Sequence, residues 1–250
     1  MSGSLAPMRL DQLLVALNRF DTRSRARDAI QRGTVKVNGR SVKKPGETVT
    51  PDAEITIDDP ASQYVSRAAL KLVHGLVHFG LSPAGCHGLD IGASTGGFTQ
   101  VLLEAGARHV TAVDVGHGQM AAKIAEDPRV TNIEGLNARQ LAKTDIGDGP
   151  FDFIVSDVSF ISLKLALPPA LDIAAPGAAC VLLVKPQFEA GREAIGKKGL
   201  LKDPALGAEV AKDLESWLVK TCGWTSLGLT TSPIEGGDGN IEYLLGGRKA

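Results

Sequence analysis

Asp90-Ile91-Gly92-Ala93-Ser94-Thr95-Gly96-Gly97-Phe98 is the stretch on which the fold turns. It closes an apolar run, Cys86 to Ile91, that reads as a strand, and it opens a periodic run, Thr99–Glu104, that reads as a helix. Glycines at a strand-to-helix turn let the backbone fold back sharply and approach a ligand with no Cβ in the way. Twenty-two residues after Gly92, at the end of the next strand pattern (His109 to Asp114), stands Asp114. A carboxylate there can accept both hydroxyls of an adenosine ribose. Nicotinamide and S-adenosylmethionine (SAM) sites share that arrangement. Asp90 separates them, because a carboxylate leading into the turn suits the ammonium of SAM and repels a pyrophosphate. A P-loop is unsuited, since no Lys-Ser/Thr follows the glycines.

Outward from this turn, strand and helix patterns alternate. Val130 to Glu134, Phe151 to Asp157 and Ala178 to Lys185 read as strands, and Arg67 to Phe79, Gln119–Ala125 and Ser162–Ala174 as helices. A helix over Pro204–Lys220 and strands over Trp224–Thr231 and Ile241–Leu245 follow. The alternation predicts an α/β fold, a Rossmann-like parallel sheet with helices on both faces and ligands at the carboxyl ends of its strands. Asn137, just after the third strand, is placed to flank an adenine or to cap the next short helix.

With 250 residues, 43% of them hydrophobic, the chain can bury a full core without disulfides or metals. It has no uninterrupted apolar run of about 18 residues to span a membrane, and Met1 to Met8 lacks the apolar stretch of a signal peptide. Cys86, Cys180 and Cys222 lack metal-ligand spacing and read as buried, reduced thiols of a cytoplasmic protein. The five histidines show no paired spacing, so no metal is expected. Trp217 and Trp224 read as core.

The net charge of −1 conceals an asymmetry. Residues 8–44 hold Arg9, Arg19, Arg23, Arg25, Arg27, Arg32, Lys36, Arg40, Lys43 and Lys44 against Asp11, Asp21 and Asp28, a net +7, which leaves −8 for the rest. A basic module on an acidic body is expected where one part holds a polyanion. Leu10, Leu13, Leu14 and Leu17 predict a short amphipathic helix over Arg9 to Arg19. Thr22 or Ser24 caps a second helix with Ala26, Ala29 and Ile30 inward and its arginines outward, and Gly33 stops it. Val35 and Val37 flank Lys36, Asn38-Gly39 predicts a hairpin turn, and Ile55 and Ile57 form a closing strand. Asp58 to Gln63 is a polar, proline-containing connector. The expected organisation is therefore one domain over residues 8–58, a linker over 59–66 and a second domain over 67–250.

On Arg9-Leu10-Asp11, Ser24-Arg25, Ala29-Ile30, Gly33 and the run from Val35 to Gly39, the first domain resembles the S4-type RNA-binding domain. That resemblance implies RNA contact by Arg9, Arg23, Arg25, Arg27, Arg32, Lys36, Arg40, Lys43 and Lys44, joined by Arg67 at the start of the second domain. With one aromatic residue, Phe20, the module cannot stack several bases, so it would hold structured RNA through phosphates and shape.

Four ionisable residues occupy odd places for a structural account, although each taken singly could be a salt-bridge partner. Lys71 lies four residues after Arg67 on the expected helix. Asp157 and Lys185 end strands at the ligand edge, and Glu242 heads the last strand. In that order, Lys71, Asp157, Lys185 and Glu242 resemble the catalytic tetrad of FtsJ-type ribose 2′-O-methyltransferases. The glycine block resembles the first motif of SAM-dependent methyltransferases, which assigns Asp90, Gly92, Ser94, Thr95, Gly96, Gly97, Phe98, Asp114 and Asn137 to the cofactor. Further blocks are Tyr64–Arg67, Asp157–Ser162, Lys185-Pro186-Gln187-Phe188-Glu189 and Gly239-Asn240-Ile241-Glu242. Together with the S4-type module, these make the chain similar to the TlyA family of rRNA methyltransferases, which is also labelled haemolysin. It departs from FtsJ at Thr95, where FtsJ has proline, and in Val158-Ser159-Phe160 after Asp157.

The resemblance implies methylation of the ribose 2′-hydroxyl of ribosomal RNA, with cytidine as the family's target. Lys185, at the end of a buried strand and near a second cation, Lys71, is expected to act as general base or to polarise the hydroxyl. Asp157 would orient it, and Lys71 and Glu242 would position the ribose. The loop from Phe188 to Leu200, with Arg192, Lys197 and Lys198 among glycines, reads either as a segment that closes over RNA near the site or as a mobile surface loop. The competing readings are a membrane-acting haemolysin, a non-catalytic SAM- and RNA-binding protein and, more distantly, a nicotinamide enzyme.

Overall fold

The computed structural model describes residues 6–147 and 149–250, so most of the stretch Met1 to Met8 lies outside the described residues. The chain divides into two units, one ending at Ser62 and the other spanning Gln63–Ala250.

The first unit comprises β1 (Met8–Arg9), α1 (Leu10–Ala16), α2 (Arg23–Gln31), β2 (Val35–Val37), β3 (Arg40–Ser41), β4 (Thr48–Val49) and β5 (Ile55–Ile57). Helix α1 ends short of Arg19, and Asn18 turns the chain in the left-handed region at φ 53°. Thr22, rather than Ser24, caps α2 by accepting the Arg25 N–H. Asn38 and Gly39 both have positive φ, 50° and 76°, as a two-residue hairpin turn requires. The turn joins β2 to β3, and β5 pairs antiparallel on the other side of β2. Leu10, Leu13, Leu14, Ala26, Ala29 and Ile30 close over Val35 and Val37 to form the core.

The second unit begins with α3 (Ala69–Phe79), β6 (His87–Ile91), α4 (Gly97–Glu104), β7 (His109–Asp114), α5 (Ala122–Ala125), β8 (Val130–Glu134) and α6 (Lys143–Ile146). It continues with β9 (Phe151–Ser156), α7 (Leu163–Ala166), α8 (Pro168–Ile173), β10 (Ala174–Val184), α9 (Leu206–Lys220), β11 (Trp224–Thr231) and β12 (Tyr243–Lys249). Proline at 168, which lacks the N–H a helix interior needs, divides the helix expected over Ser162–Ala174 into α7 and α8. Helix α3 starts at Ala69, so Arg67 stands ahead of it and does not share its face with Lys71.

The seven strands are ordered β11-β12-β10-β9-β6-β7-β8. From β10 to β8 all neighbours are parallel. Strand β12 inserts antiparallel between β10 and β11, so the sheet is mixed where a parallel one was expected. Helix α9 carries the chain one strand position beyond the neighbour of β10, and the return through residues 232–242 fills the gap in the opposite direction. Alternate residues of each strand face opposite layers. Ile154 and Leu182 pack with Leu163, Leu171, Leu214 and Trp224. Phe153, Val155, Val181 and Leu183 lie under Leu72, Phe98 and Leu102. Among the described residues, no helix is long and apolar enough to cross a membrane.

Candidate active site

The carboxyl ends of β6, β7, β9 and β10 bring the chemistry together along one sheet edge. At the end of β6, Asp90 is fully buried and its Oδ2 accepts the Thr99 hydroxyl at 2.7 Å. Its Oδ1 is buried with no hydrogen-bond partner. Burial pushes the Asp90 carboxyl up to about 7, opposed by the Thr99 hydrogen bond and reinforced by the charges of Asp157 and Asp114. An orphaned buried acceptor costs about 1–3 kcal/mol, so this oxygen suits a cationic or N–H-bearing ligand. The turn beyond it passes through positive φ at Gly92, Ser94 and Gly96. A Cβ on Gly92 would lie 2.9 Å from the Val158 side chain and 3.1 Å from the Asp157 backbone, so glycine alone allows that approach.

Asp114, at the end of β7, is clamped to the same turn. Its Oδ2 accepts the Ser94 N–H at 2.8 Å and its Oδ1 the Gly116 N–H at 2.7 Å. Gly92, Asp114, Asn137, Val158 and Phe160 line a cavity of about 440 Å³. Asn137 also accepts the Arg139 N–H and so caps the short 3-10 helix Ala138–Gln140. A second cavity, of about 150 Å³, is lined by Thr95, Gly97, Phe98 and Lys185 and shares Gly92, Ser94, Asp157 and Ser159 with the first.

The four ionisable residues form two ion pairs. Lys71 Nζ meets Glu242 Oε2 at 2.5 Å, with both side chains buried. Lys185 Nζ lies 2.6 Å from Asp157 Oδ1 and donates a hydrogen bond to Ser159 Oγ at 2.7 Å. The charge of Lys71 is taken up by Glu242, so the expected push of one lysine on the other is not what the geometry shows. A Cβ on Gly236 would stand 2.6 Å from Glu242 Oε1, which lets the preceding turn close over that carboxylate.

Several neighbours of these pairs lie inside the sequence blocks quoted above, which assign them no role of their own. Asn240 is buried, accepts the Leu201 N–H and donates to the Gly199 carbonyl, tying the basic loop to the turn before Glu242. Glu189 accepts the Ser162 hydroxyl and the Leu163 N–H, so it caps α7. Phe160 is 89% exposed at φ 64°, its ring 5.0 Å from that of Phe188. Sequence periodicity marks apolar residues as core, and an aromatic held outward in a loop escapes it.

In the first unit, Arg9 and Arg23 converge on the buried Asp11 carboxylate. Hydrogen bonds from Arg9, and from Arg23 against the cost of burial, pull that carboxyl down to about 2. Arg25 lies 3.6 Å from Asp21, and Arg40 pairs with Glu47. Arg27, Lys36, Lys43 and Lys44 are exposed, whereas Arg67 is half-buried. Arg32, expected among the RNA contacts, is engaged by carboxylates of its own unit. Its guanidinium bonds Asp28 at 3.0 Å and both oxygens of Asp59 at 2.6 and 3.0 Å, which leaves the side chain 14% exposed. The start of the expected linker is thus built into the first unit.

The FtsJ-like methyltransferase family matches residues 64–249, and the S4 domain matches residues 8–55. The chain is 42% identical, over 95% of its length and 88% of the relative, to the Mycobacterium tuberculosis protein named 16S/23S rRNA (cytidine-2'-O)-methyltransferase TlyA. It is 40% identical, over 95% of its length and 98% of the relative, to Hemolysin A of Brachyspira hyodysenteriae. A solved structure from Streptococcus thermophilus that carries a hemolysin label matches with a TM-score of 0.76 at 41% identity, over 98% of this chain and 89% of that one. Matched by both family models and by relatives of this identity over nearly its whole length, the chain belongs to the TlyA family of FtsJ-like methyltransferases that carry an S4 domain.

Proposed function

We propose that this methyltransferase acts in the cytoplasm on ribosomal RNA, free or assembled into a subunit, and moves the methyl group of SAM to the ribose 2′-hydroxyl of a cytidine. Residues 8–58 hold the RNA; residues 67–250 hold SAM and perform the transfer. The observation that carries this reading is the Lys185–Asp157 pair standing beside the cavity of Asp114 and the glycine turn.

The residues fit SAM. Once ionised, the orphaned Oδ1 of Asp90 would supply the negative charge an ammonium needs, Asp114 offers a carboxylate to ribose hydroxyls, and the glycine turn clears the approach. SAM supplies an already activated methyl group, which leaves the protein to align the acceptor hydroxyl and manage its proton. Lys185 meets that hydroxyl in the smaller cavity, with Asp157 balancing its charge. Lys71 and Glu242 hold α3 and the start of β12 as one wall of the ribose site. Phe160 offers the target base an apolar face.

The test is transfer of labelled methyl from SAM to ribosomal subunits and to naked rRNA, with ribose methylations mapped in cells with and without the protein. Lys185→Ala should abolish transfer while SAM binding persists. Transfer that survives this substitution would overturn the assignment. Cell lysis by the purified protein, equal in Lys185→Ala, would instead support the haemolysin reading.

A further inference from the structure

We propose that Ser159 is a positioning residue that aims the Lys185 head group at the acceptor hydroxyl. The proposal rests on the methyl-transfer reading above. A lysine ammonium is a compact charge on a flexible stem, and attraction alone does not fix where its N–H bonds point. Lys185 has two oxygens within reach. Asp157 Oδ1 is at 2.6 Å, yet this buried oxygen takes part in no aligned hydrogen bond. Ser159 Oγ, at 2.7 Å, accepts the hydrogen bond that Lys185 does make. Asp157 therefore balances the charge and Ser159 sets the direction, which leaves the remainder of the head group to face the substrate.

The placement of Ser159 supports this division. It lines both cavities, the larger one beside Asp114 and the smaller one holding Lys185, at the seam a methyl group must cross. The next residue, Phe160, holds φ 64°, a conformation that side chains other than glycine rarely adopt and that persists only where surroundings enforce it. That turn lets the serine hydroxyl reach Lys185 while the phenyl ring stands exposed against Phe188. The far end of the loop is anchored separately, by Glu189 on the Ser162 hydroxyl and the Leu163 N–H. Ser159 is itself exposed, so removing its hydroxyl leaves the core untouched.

The experiment uses the full chain with ribosomal subunits and labelled SAM, and calorimetry for SAM binding. In Ser159→Ala, kcat should fall by about ten- to hundredfold, as misaligned reacting groups do. KM for the subunits, the SAM dissociation constant and the melting temperature should stay as in the unaltered protein. Ser159→Thr, which keeps a hydroxyl on Cβ, should recover most of the missing kcat. Unchanged kcat in Ser159→Ala, a parallel drop in SAM affinity, or Ser159→Thr no better than Ser159→Ala would overturn the proposal alone. Absence of transfer by the unaltered protein would overturn the function reading and the proposal with it.

Discussion

Lys71 and Glu242 lie 171 positions apart in the sequence and close a buried ion pair at 2.5 Å between α3 and the start of β12. Removing one partner strands the other charge out of water, at a cost of about 3–5 kcal/mol. Lys71→Met should therefore lower unfolding stability by about that amount in urea titration. The double variant Lys71→Met/Glu242→Leu should regain most of it, while methyl transfer should be lost in the single and double variants alike. Equal destabilisation in the single and double variants would show that the pair is not the source.

SAM binding should depend on pH through Asp90. Its folded-state value, about 7, stands above the ordinary 3.8, so the carboxyl is neutral through mildly acid pH. The sign follows from linkage: burial of this group weakens the fold as pH rises from near 4 to about 7, and the decline levels off above that. A cationic ligand needs the carboxylate, so SAM affinity should rise between about pH 6 and 8, by at most about tenfold per unit. Calorimetry across that range should find the slope in the natural protein and a flat, weaker profile in Asp90→Asn.

The basic residues of the first unit should divide into two groups under salt. Lys36, Lys43 and Lys44 are exposed, and each neutralised phosphate contributes about 0.7–0.9 to the slope of log affinity against log salt. Each Lys→Gln change should reduce the slope by about that amount. Arg32→Gln should leave the slope alone and cost about 1–3 kcal/mol of stability, because Asp59 is deprived of the guanidinium that bonds both of its oxygens. Filter binding of rRNA fragments over a range of salt, paired with urea titration, separates the two. A reduced slope in Arg32→Gln would place that residue on RNA after all.

Phe160 is exposed and buries little of the core, so Phe160→Ala should leave the melting temperature unchanged. Stacking on a base is worth about 1–3 kcal/mol, which predicts a fall in kcat/KM for rRNA of roughly five- to 150-fold by the same scale. SAM affinity should not move, and Phe160→Trp should retain activity. Full activity in Phe160→Ala would remove this residue from the substrate site.

Much of the architecture was legible from neighbours in the chain. The Asp90–Phe98 turn, the Asn38-Gly39 hairpin and the strands His109–Asp114 and Trp224–Thr231 rest on glycine's freedom at positive φ and on side-chain periodicity, both local properties. Helix ends were less legible. Arg67 fell outside α3, because the first turn of a helix depends on what packs against it, and Pro168 cut a helix in two through its missing N–H, a local signal that the apolar periodicity of Ser162–Ala174 had masked.

By itself, the sequence determined the order of elements, the basic first module, the glycine turn and the four ionisable residues, since each is written in residue type and spacing. Only the tertiary structure decided how those charges are shared. Lys71 went to Glu242 and Lys185 to Asp157 and Ser159, while Arg32 went to Asp28 and Asp59. A buried charge must find a partner in space, and which partner lies within about 3 Å is set by how α3, β10 and the inserted β12 pack, not by any neighbour along the chain.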